Sequence, residues 1–247
     1  SYIDGSKLAS VGEYAFSGTT GPLVLTNMPA GMEIGVGIGA AEMVSTLTYA
    51  LADATGTEDA LTLDYSDTVD QVSTNALTTT GIETLNVKAT KEAAGAVTQT
   101  LTLTNAGVAT INVTDGHAAD TLDLGTLNKA TTTVTAGANK GMVDLIAAAT
   151  SPGMTVSAPA AVIHAITLSA KADTMTLTGK MADVTNVIAG GASATGTVDV
   201  FNGTMTTTTT DLTNITGFET LNLTGTNSVT CLLYTSDDAD DGLSVVR

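Results

Sequence analysis

Cysteine occurs once in 247 residues, tryptophan not at all, and arginine only at the last position. A single cysteine forms no intrachain disulfide, so no disulfide framework braces this chain. Aromatic residues make up 3% of the sequence, and three Phe cannot fill the bulky core that compact β domains usually build. Basic residues are as scarce: eight Lys and Arg stand against 25 Asp and Glu, a formal charge of -17 with a pI near 4.1. A field of that sign repels nucleic acid and excludes it as a partner. No run approaches the roughly 18–20 consecutive apolar residues of a membrane-spanning helix. Disorder is excluded by the opposite count, since 43% of residues are hydrophobic and the mean hydropathy is +0.27.

What is abundant is threonine, 49 residues, followed by 35 Ala and 25 Gly. A β-branched side chain is stiff at its first torsion and suits a pleated strand better than a helix. The text alternates accordingly, most cleanly in Thr100-Leu101-Thr102-Leu103-Thr104. The same apolar-x-apolar unit recurs at Leu61/Leu63, Leu85/Val87, Ile111/Val113, Leu122/Leu124, Val143/Leu145, Ile166/Leu168, Met175/Leu177, Val198/Val200 and Leu221/Leu223. Period-two alternation marks strands that bury one face. With Val134 and Val156 included, successive units between 101 and 177 lie about 9 to 12 residues apart, separated by turn-forming Gly, Asn and Asp.

An internal repeat is also present. Thr80-Gly81-Ile82-Glu83-Thr84-Leu85-Asn86-Val87 matches Thr216-Gly217-Phe218-Glu219-Thr220-Leu221-Asn222-Leu223 at six of eight positions, and Thr110-Ile111-Asn112-Val113 echoes it. Evenly spaced short strands with a recurring phrase predict stacked rungs, each burying its apolar face on its neighbours. The expected fold is all-β, a β-solenoid of the parallel β-helix or β-roll kind. A β-sandwich has strands at similar spacing and is the alternative, disfavoured by the shortage of aromatics.

The expected organisation is an irregular N-terminal β region at 1–57, a strand-repeat domain at 58–230 and a tail at 231–247. Met32–Ala54 fits either a short helix near Ala40–Ala52 or, better, a hairpin turning at Asp53–Asp59. Ser1–Lys7 reads as the interior of a longer chain. The tail, Cys231 to Arg247, departs from the alternating text. Its first ten residues resemble the conceptual translation of a transposase-type sequencing adapter, with Asp238 where Ala is usual. An unstructured segment foreign to the protein is expected there. Removing its four Asp and one Arg leaves 21 acids against seven Lys.

The phrases GIETLNV and GFETLNL, with LTYALADATGTEDALTL and the Thr/Ala/Gly/Asn-rich alternation, resemble bacterial surface-layer and related β-strand-repeat proteins of the RTX-related, type I-secreted group. The resemblance covers roughly residues 45–230. It implies an extracellular location on the bacterial cell surface, self-association into a lattice, contact with cell-surface polysaccharide, and calcium held in β-roll turns. The RTX turn requires Gly-Gly-x-Gly-x-Asp before an apolar residue, so that turn carbonyls and carboxylates surround a hard cation. Ala119-Asp120-Thr121-Leu122-Asp123-Leu124 and Ala172-Asp173-Thr174-Met175 keep only the Asp-x-apolar half. Asp120, Asp123 and Asp173 are therefore the candidate calcium ligands, with solvated turn acids as the simpler reading.

Catalytic constellations are thin. His117 lies in a turn with Asp115 and Asp120, where a solvated imidazole is the simpler reading than a metal ligand; His164, between Ile163 and Ala165 at the start of a strand, reads as a satisfied, partly buried histidine. Gly35-Val36-Gly37-Ile38-Gly39 lacks the spacing of a dinucleotide loop. Polysaccharide lyases occur on β-helices, but such chemistry needs basic groups beside a uronate, and residues 1–230 hold no Arg and only scattered Lys. The expectation is no enzyme. A structural coat protein is favoured, with an adhesin or autotransporter passenger domain binding host or carbohydrate as the alternative.

Overall fold

The computed structural model describes residues 1–8, 11–16, 21–36, 46–65, 73–88, 98–104, 107–114, 120–148, 150–160, 164–181, 187–191, 197–205, 210–225, 229–230 and 244–246. Strands dominate. The first six are β1 (Tyr2–Asp4), β2 (Glu13–Phe16), β3 (Leu23–Met28), β4 (Glu33–Val36), β5 (Thr46–Leu51) and β6 (Ala60–Asp64). They are followed by β7 (Ser73–Thr80), β8 (Thr84–Lys88), β9 (Thr98–Thr104), β10 (Thr110–Thr114), β11 (Thr121–Thr126) and β12 (Thr133–Thr135). Next come β13 (Met142–Ile146), β14 (Thr155–Pro159), β15 (Ala165–Thr167), β16 (Thr174–Met181), β17 (Val187–Ala189) and β18 (Val200–Met205). The series ends with β19 (Thr210–Asp211), β20 (Ile215–Thr216), β21 (Thr220–Thr224), β22 (Val229–Thr230) and β23 (Ser244–Val246). The helical content of the described residues is one 3-10 turn at Gly5–Lys7.

From β1 to β18 each strand pairs with the next but one, and the β19-β22 pair then sets β17 on β20 and β18 on β21. One sheet has the order β1-β3-β5-β7-β9-β11-β13-β15-β17-β20 and the other β2-β4-β6-β8-β10-β12-β14-β16-β18-β21-β23, with a small β19-β22 pair beside them. The pairings described are parallel throughout, for example Leu61↔Leu85 and Leu85↔Ile111. The chain is thus a two-sheet parallel β-solenoid, in which one strand of each sheet makes a turn of the coil. Stacked positions lie from 19 residues apart (Val156↔Met175) to 30 apart (Thr48↔Thr78). The 9-to-12-residue spacing of apolar units in the sequence is half a turn, one sheet to the other.

The sandwich alternative fails on this topology, because its sheets pair antiparallel strands whereas these ladders are parallel. The hairpin at Asp53–Asp59 is also overturned. β5 and β6 belong to different sheets, and the segment between them is a corner. Asp and Gly supply the same turn chemistry to a corner as to a hairpin, so composition alone could not separate them. Of the helix considered near Ala40–Ala52, residues 40–45 lie outside the described residues and Thr46–Leu51 is β5. The ladders cross position 57 without interruption. In the stretch expected to be unstructured, Ser244–Val246 lies in register on β21. The edge of a sheet offers unpaired backbone groups to an extended β-branched segment, which Val245 and Val246 supply.

The core between the sheets is filled by the inward positions of the alternation. Leu61, Leu85, Ile111 and Phe201 are fully buried, as are Leu25 and Tyr49. Each lies over its counterpart one turn away, so a narrow column of Leu, Val, Ile and Met suffices where a sandwich would need aromatics. One phase reading is corrected. Val198 is 50% exposed, and β18 instead buries Phe201 and Met205, a slip of one residue. Bulk decides it: Phe201 packs edge-to-face on Phe218 at 5.5 Å between centroids, which Val200 could not do. Register shifts in β3, β11 and β16 coincide with the positive-φ residues Asn27, Gly125 and Gly179, as expected of bulges.

Gly81 and Gly217 open the two copies of the repeated phrase with φ of 75° and 73°. A Cβ on Gly81 would lie 2.5 Å from the Ala54 Cβ one turn below. Left-handed backbone costs a non-glycine residue about 1–3 kcal/mol, and the clash adds to it. Gly81→Ala is therefore expected to lose at least about 2 kcal/mol in urea unfolding. Gly12→Ala, where nothing lies within 4 Å, is expected to be neutral or slightly stabilising.

Candidate functional site

The most organised polar feature is the corner that precedes each strand of the second sheet. Asp59, Glu83, Asp173, Asp199 and Glu219 each stand immediately before such a strand. Backbone amides of a later turn donate to the carbonyl of an earlier one: Thr84 N to Asp59 O at 3.0 Å, Thr220 N to Asp199 O at 3.0 Å. The amide of the earlier residue is left facing the next turn, and the carboxylate there accepts it. Asp59 N donates to Glu83 Oε2 at 3.0 Å, Asp173 N to Asp199 Oδ1 at 2.8 Å, and Asp199 N to Glu219 Oε2 at 2.6 Å. Met154 N donates to Asp173 Oδ1 in the same way. Ser169 Oγ also donates to Asp173, 3.0 and 2.9 Å from its two oxygens. Hydrogen bonds to a charged acceptor contribute about 1.5–3 kcal/mol each, so the corner stabilises the stack although it lines up like charges.

The repeated phrase thus carries a capping residue, Glu83 in one copy and Glu219 in the other. The Asp-x-apolar pattern marks the start of a strand: Asp173-Thr174-Met175 and Asp199-Val200-Phe201 share it with Glu219-Thr220-Leu221. The roles of Glu83, Asp199 and Glu219 were missed in the sequence, although the acid directly before β8, β18 and β21 was a visible signal.

The candidate calcium ligands do not converge. Asp120 and Asp123 lie at the start of β11 in the first sheet, whereas Asp173 serves the corner of the second. Asp123 accepts the Gly125 amide at 2.8 Å and stacks in register on Asp144, which accepts the Ala165 amide at 2.7 Å. Burial, reinforced by Asp123, raises the Asp144 carboxyl above its ordinary range against the lowering effect of the Ala165 amide and His164. Among the described residues no group of three or more His, Cys, Asp or Glu is placed to hold a metal ion. His117 and its neighbour Asp115 lie outside the described residues.

His164 is satisfied, as expected, and more deeply buried than its flanks implied, with 1% of its surface exposed. Its Nε2 donates to Pro159 O at 2.9 Å and its Nδ1 accepts from Val143 N at 3.0 Å, the neutral tautomer. Burial lowers its pKa. Chemically it fastens two turns together and is closed to substrate.

No known protein family matches the sequence, and searches of curated proteins and of solved structures find no similar chain. What defines the molecule is its fold, a parallel β-solenoid with capped corners. Among the described residues no helix is long and apolar enough to cross a membrane.

Two measurements test this account of the corner. Asp199→Ala strands the buried Asp173 amide and is expected to cost about 1–3 kcal/mol in urea unfolding. Asp199→Asn keeps the acceptor oxygen and should cost clearly less; equal losses would refute the capping role.

The second concerns pH. Burial raises the Asp173 carboxyl above its ordinary value, outweighing the Ser169 and Met154 hydrogen bonds. The unfolded chain then releases that proton at lower pH than the folded one, so Asp173 favours folding most at acid pH and less as pH rises past about 4. Asp173→Asn removes this dependence. Its stability relative to the parent is expected to be better at pH 7 than at pH 4, read by urea unfolding at both; the opposite ordering would refute the assignment.

Proposed function

We propose that this chain is a structural protein of the bacterial cell surface, a stacked-strand segment of a self-assembling, surface-layer-like coat. The observation that carries the reading is the two-sheet solenoid itself, whose second sheet repeats small polar residues on its outer face from turn to turn. Such faces present a long, regular surface for lateral association, as solenoids generally do for binding. The polar groups with the most defined geometry, those of the capped corner and His164, are spent on holding turns together, which suits a mechanical role better than a catalytic one. Cell-surface polysaccharide is the anchoring partner that fits such a coat. Calcium, which the resemblance implies, would have Asp120, Asp123 and Asp173 as its candidate ligands, and the last two also accept backbone amides.

Electron microscopy and sedimentation of the purified chain, with and without millimolar calcium, test the proposal. Ordered sheets or filaments are expected in at least one condition. Strictly monomeric behaviour in both would overturn the coat reading. Unchanged circular dichroism across the calcium titration would remove calcium from it.

A further inference from the structure

We propose that the outer face of the second sheet, over the eight strands β6 to β21, is the surface through which two copies of this chain associate laterally. Two columns of outward side chains run along it. One contains five consecutive threonines in register, Thr84, Thr110, Thr133, Thr155 and Thr174. It continues through Ala60 at one end and Val200 at the other. The neighbouring column runs from Thr62 to Asn222 and holds only Thr, Asn and Ser. Neither column carries a charge across these strands, in a chain of net charge -17. Charge on this face is confined to the next column along the strands, where Asp64 lies in register with Lys88, Lys88 pairs with Glu33 at 2.7 Å, and Lys180 lies on β16. On the first sheet, by contrast, Asp123 and Asp144 stack in the middle of the outer face.

Charge selects the occupant. Two strongly acidic copies repel wherever acids face one another, and a contact between them is least opposed where each presents a neutral surface. The face is also ready for burial. Asn112 Nδ2 donates to Asn86 Oδ1 at 2.9 Å, Asn222 Nδ2 to Asn202 Oδ1 at 2.9 Å, and Asn202 Nδ2 to Thr176 Oγ1 at 3.3 Å. Amides already paired along the column lose little when water leaves. In-register parallel strands with Asn ladders and small side chains of even height are the surfaces that interdigitate face to face. A twofold contact of the face with itself in a second copy satisfies these conditions on both sides at once.

Size sets the strength. Eight strands about 4.8 Å apart, with five residues of about 3.3 Å across each, make a plane of roughly 600 Å². That is below the roughly 800 Å² per partner of a standard stable complex. A single pair is therefore weak, and the contact becomes effective when repeated through an array. The inference rests on the coat reading and names the surface it would use.

The test compares assembly by sedimentation and electron microscopy across variants whose folding is checked by thermal melts. Thr110→Glu/Thr155→Glu places charge in the threonine column and is expected to reduce the assembled fraction at least tenfold. Thr78→Glu/Thr102→Glu, on the first sheet, and Thr110→Val/Thr155→Val, neutral on the second, are expected to assemble as the parent does. Should the first pair fail to fold, Thr135→Asp at an exposed position of the same face takes its place. Assembly of the charged second-sheet variant at the parent's level overturns the assignment of the face while leaving the coat intact. Equal loss in both charged pairs, or loss in the valine pair, also overturns it. A parent that stays monomeric overturns the coat reading, and this inference falls with it.

Discussion

Every residue of a parallel solenoid is stacked on its own counterpart in the turns above and below, about 4.8 Å away. That adjacency governs what the chain can contain. A charge placed on the sheet meets like charge if the column repeats it, and a bulky ring crowds its own copies. Threonine and asparagine escape both costs: they favour or tolerate the pleat and hydrogen-bond along the column, as Thr78 does with Thr104 at 2.8 Å and Asn112 with Asn86 at 2.9 Å. The excess of threonine and the 13% of charged residues follow from the same geometry. So does the shortage of aromatics, since inward columns of Leu, Val, Ile and Met already close the narrow space between the sheets.

The constraint relaxes at the corners, where the chain turns and the amide preceding a strand has lost its ladder partner. A buried donor without a partner costs about 1–3 kcal/mol, and a carboxylate from the next turn is a strong acceptor for it. Acids consequently collect at the corner of the second sheet even though Asp173, Asp199 and Glu219 follow one another in successive turns. The repulsion is real: Asp199 is among the influences that raise the Asp173 carboxyl, after burial. It is tolerated because each carboxylate holds an amide that nothing else reaches.

Much of this was legible in the sequence because stacking writes itself into the text. The alternation gave the buried positions, and Leu61, Leu85, Ile111 and Leu221 all lie in the core. The recurrence of Thr-x-Asn marked positions that stack, since Thr84-Leu85-Asn86 and Thr110-Ile111-Asn112 are in register, and Asn222 of the other copy stacks on Asn202. What could not be read was anything decided by a neighbour distant in sequence. Val198/Val200 and Phe201/Met205 are both plausible inward pairs, and only the presence of Phe218 selects the second. Asp53–Asp59 looks like a hairpin because turn residues fix a reversal but not which strand comes next to which. Asp173 looked like part of an ion-binding turn because an acid before an apolar alternation is common to that turn and to a capped strand start.

The same stacking bears on why a mechanical reading suits this molecule. A catalytic site brings unlike groups together: a base, an acid and a stabiliser of developing charge within a few ångströms. In-register stacking does the reverse along each face, setting like beside like, and unlike groups meet chiefly at corners. Here Glu83, Asp173, Asp199 and Glu219 are bound to backbone amides, and His164 to the Pro159 carbonyl and the Val143 amide, so their hydrogen-bonding capacity is directed inward. The outer face of the second sheet keeps what repetition provides, a regular and largely neutral surface that extends with every added turn. Longer solenoids of this composition gain contact area in proportion to their length without gaining charge on that face, a property that favours association between copies over recognition of a small ligand.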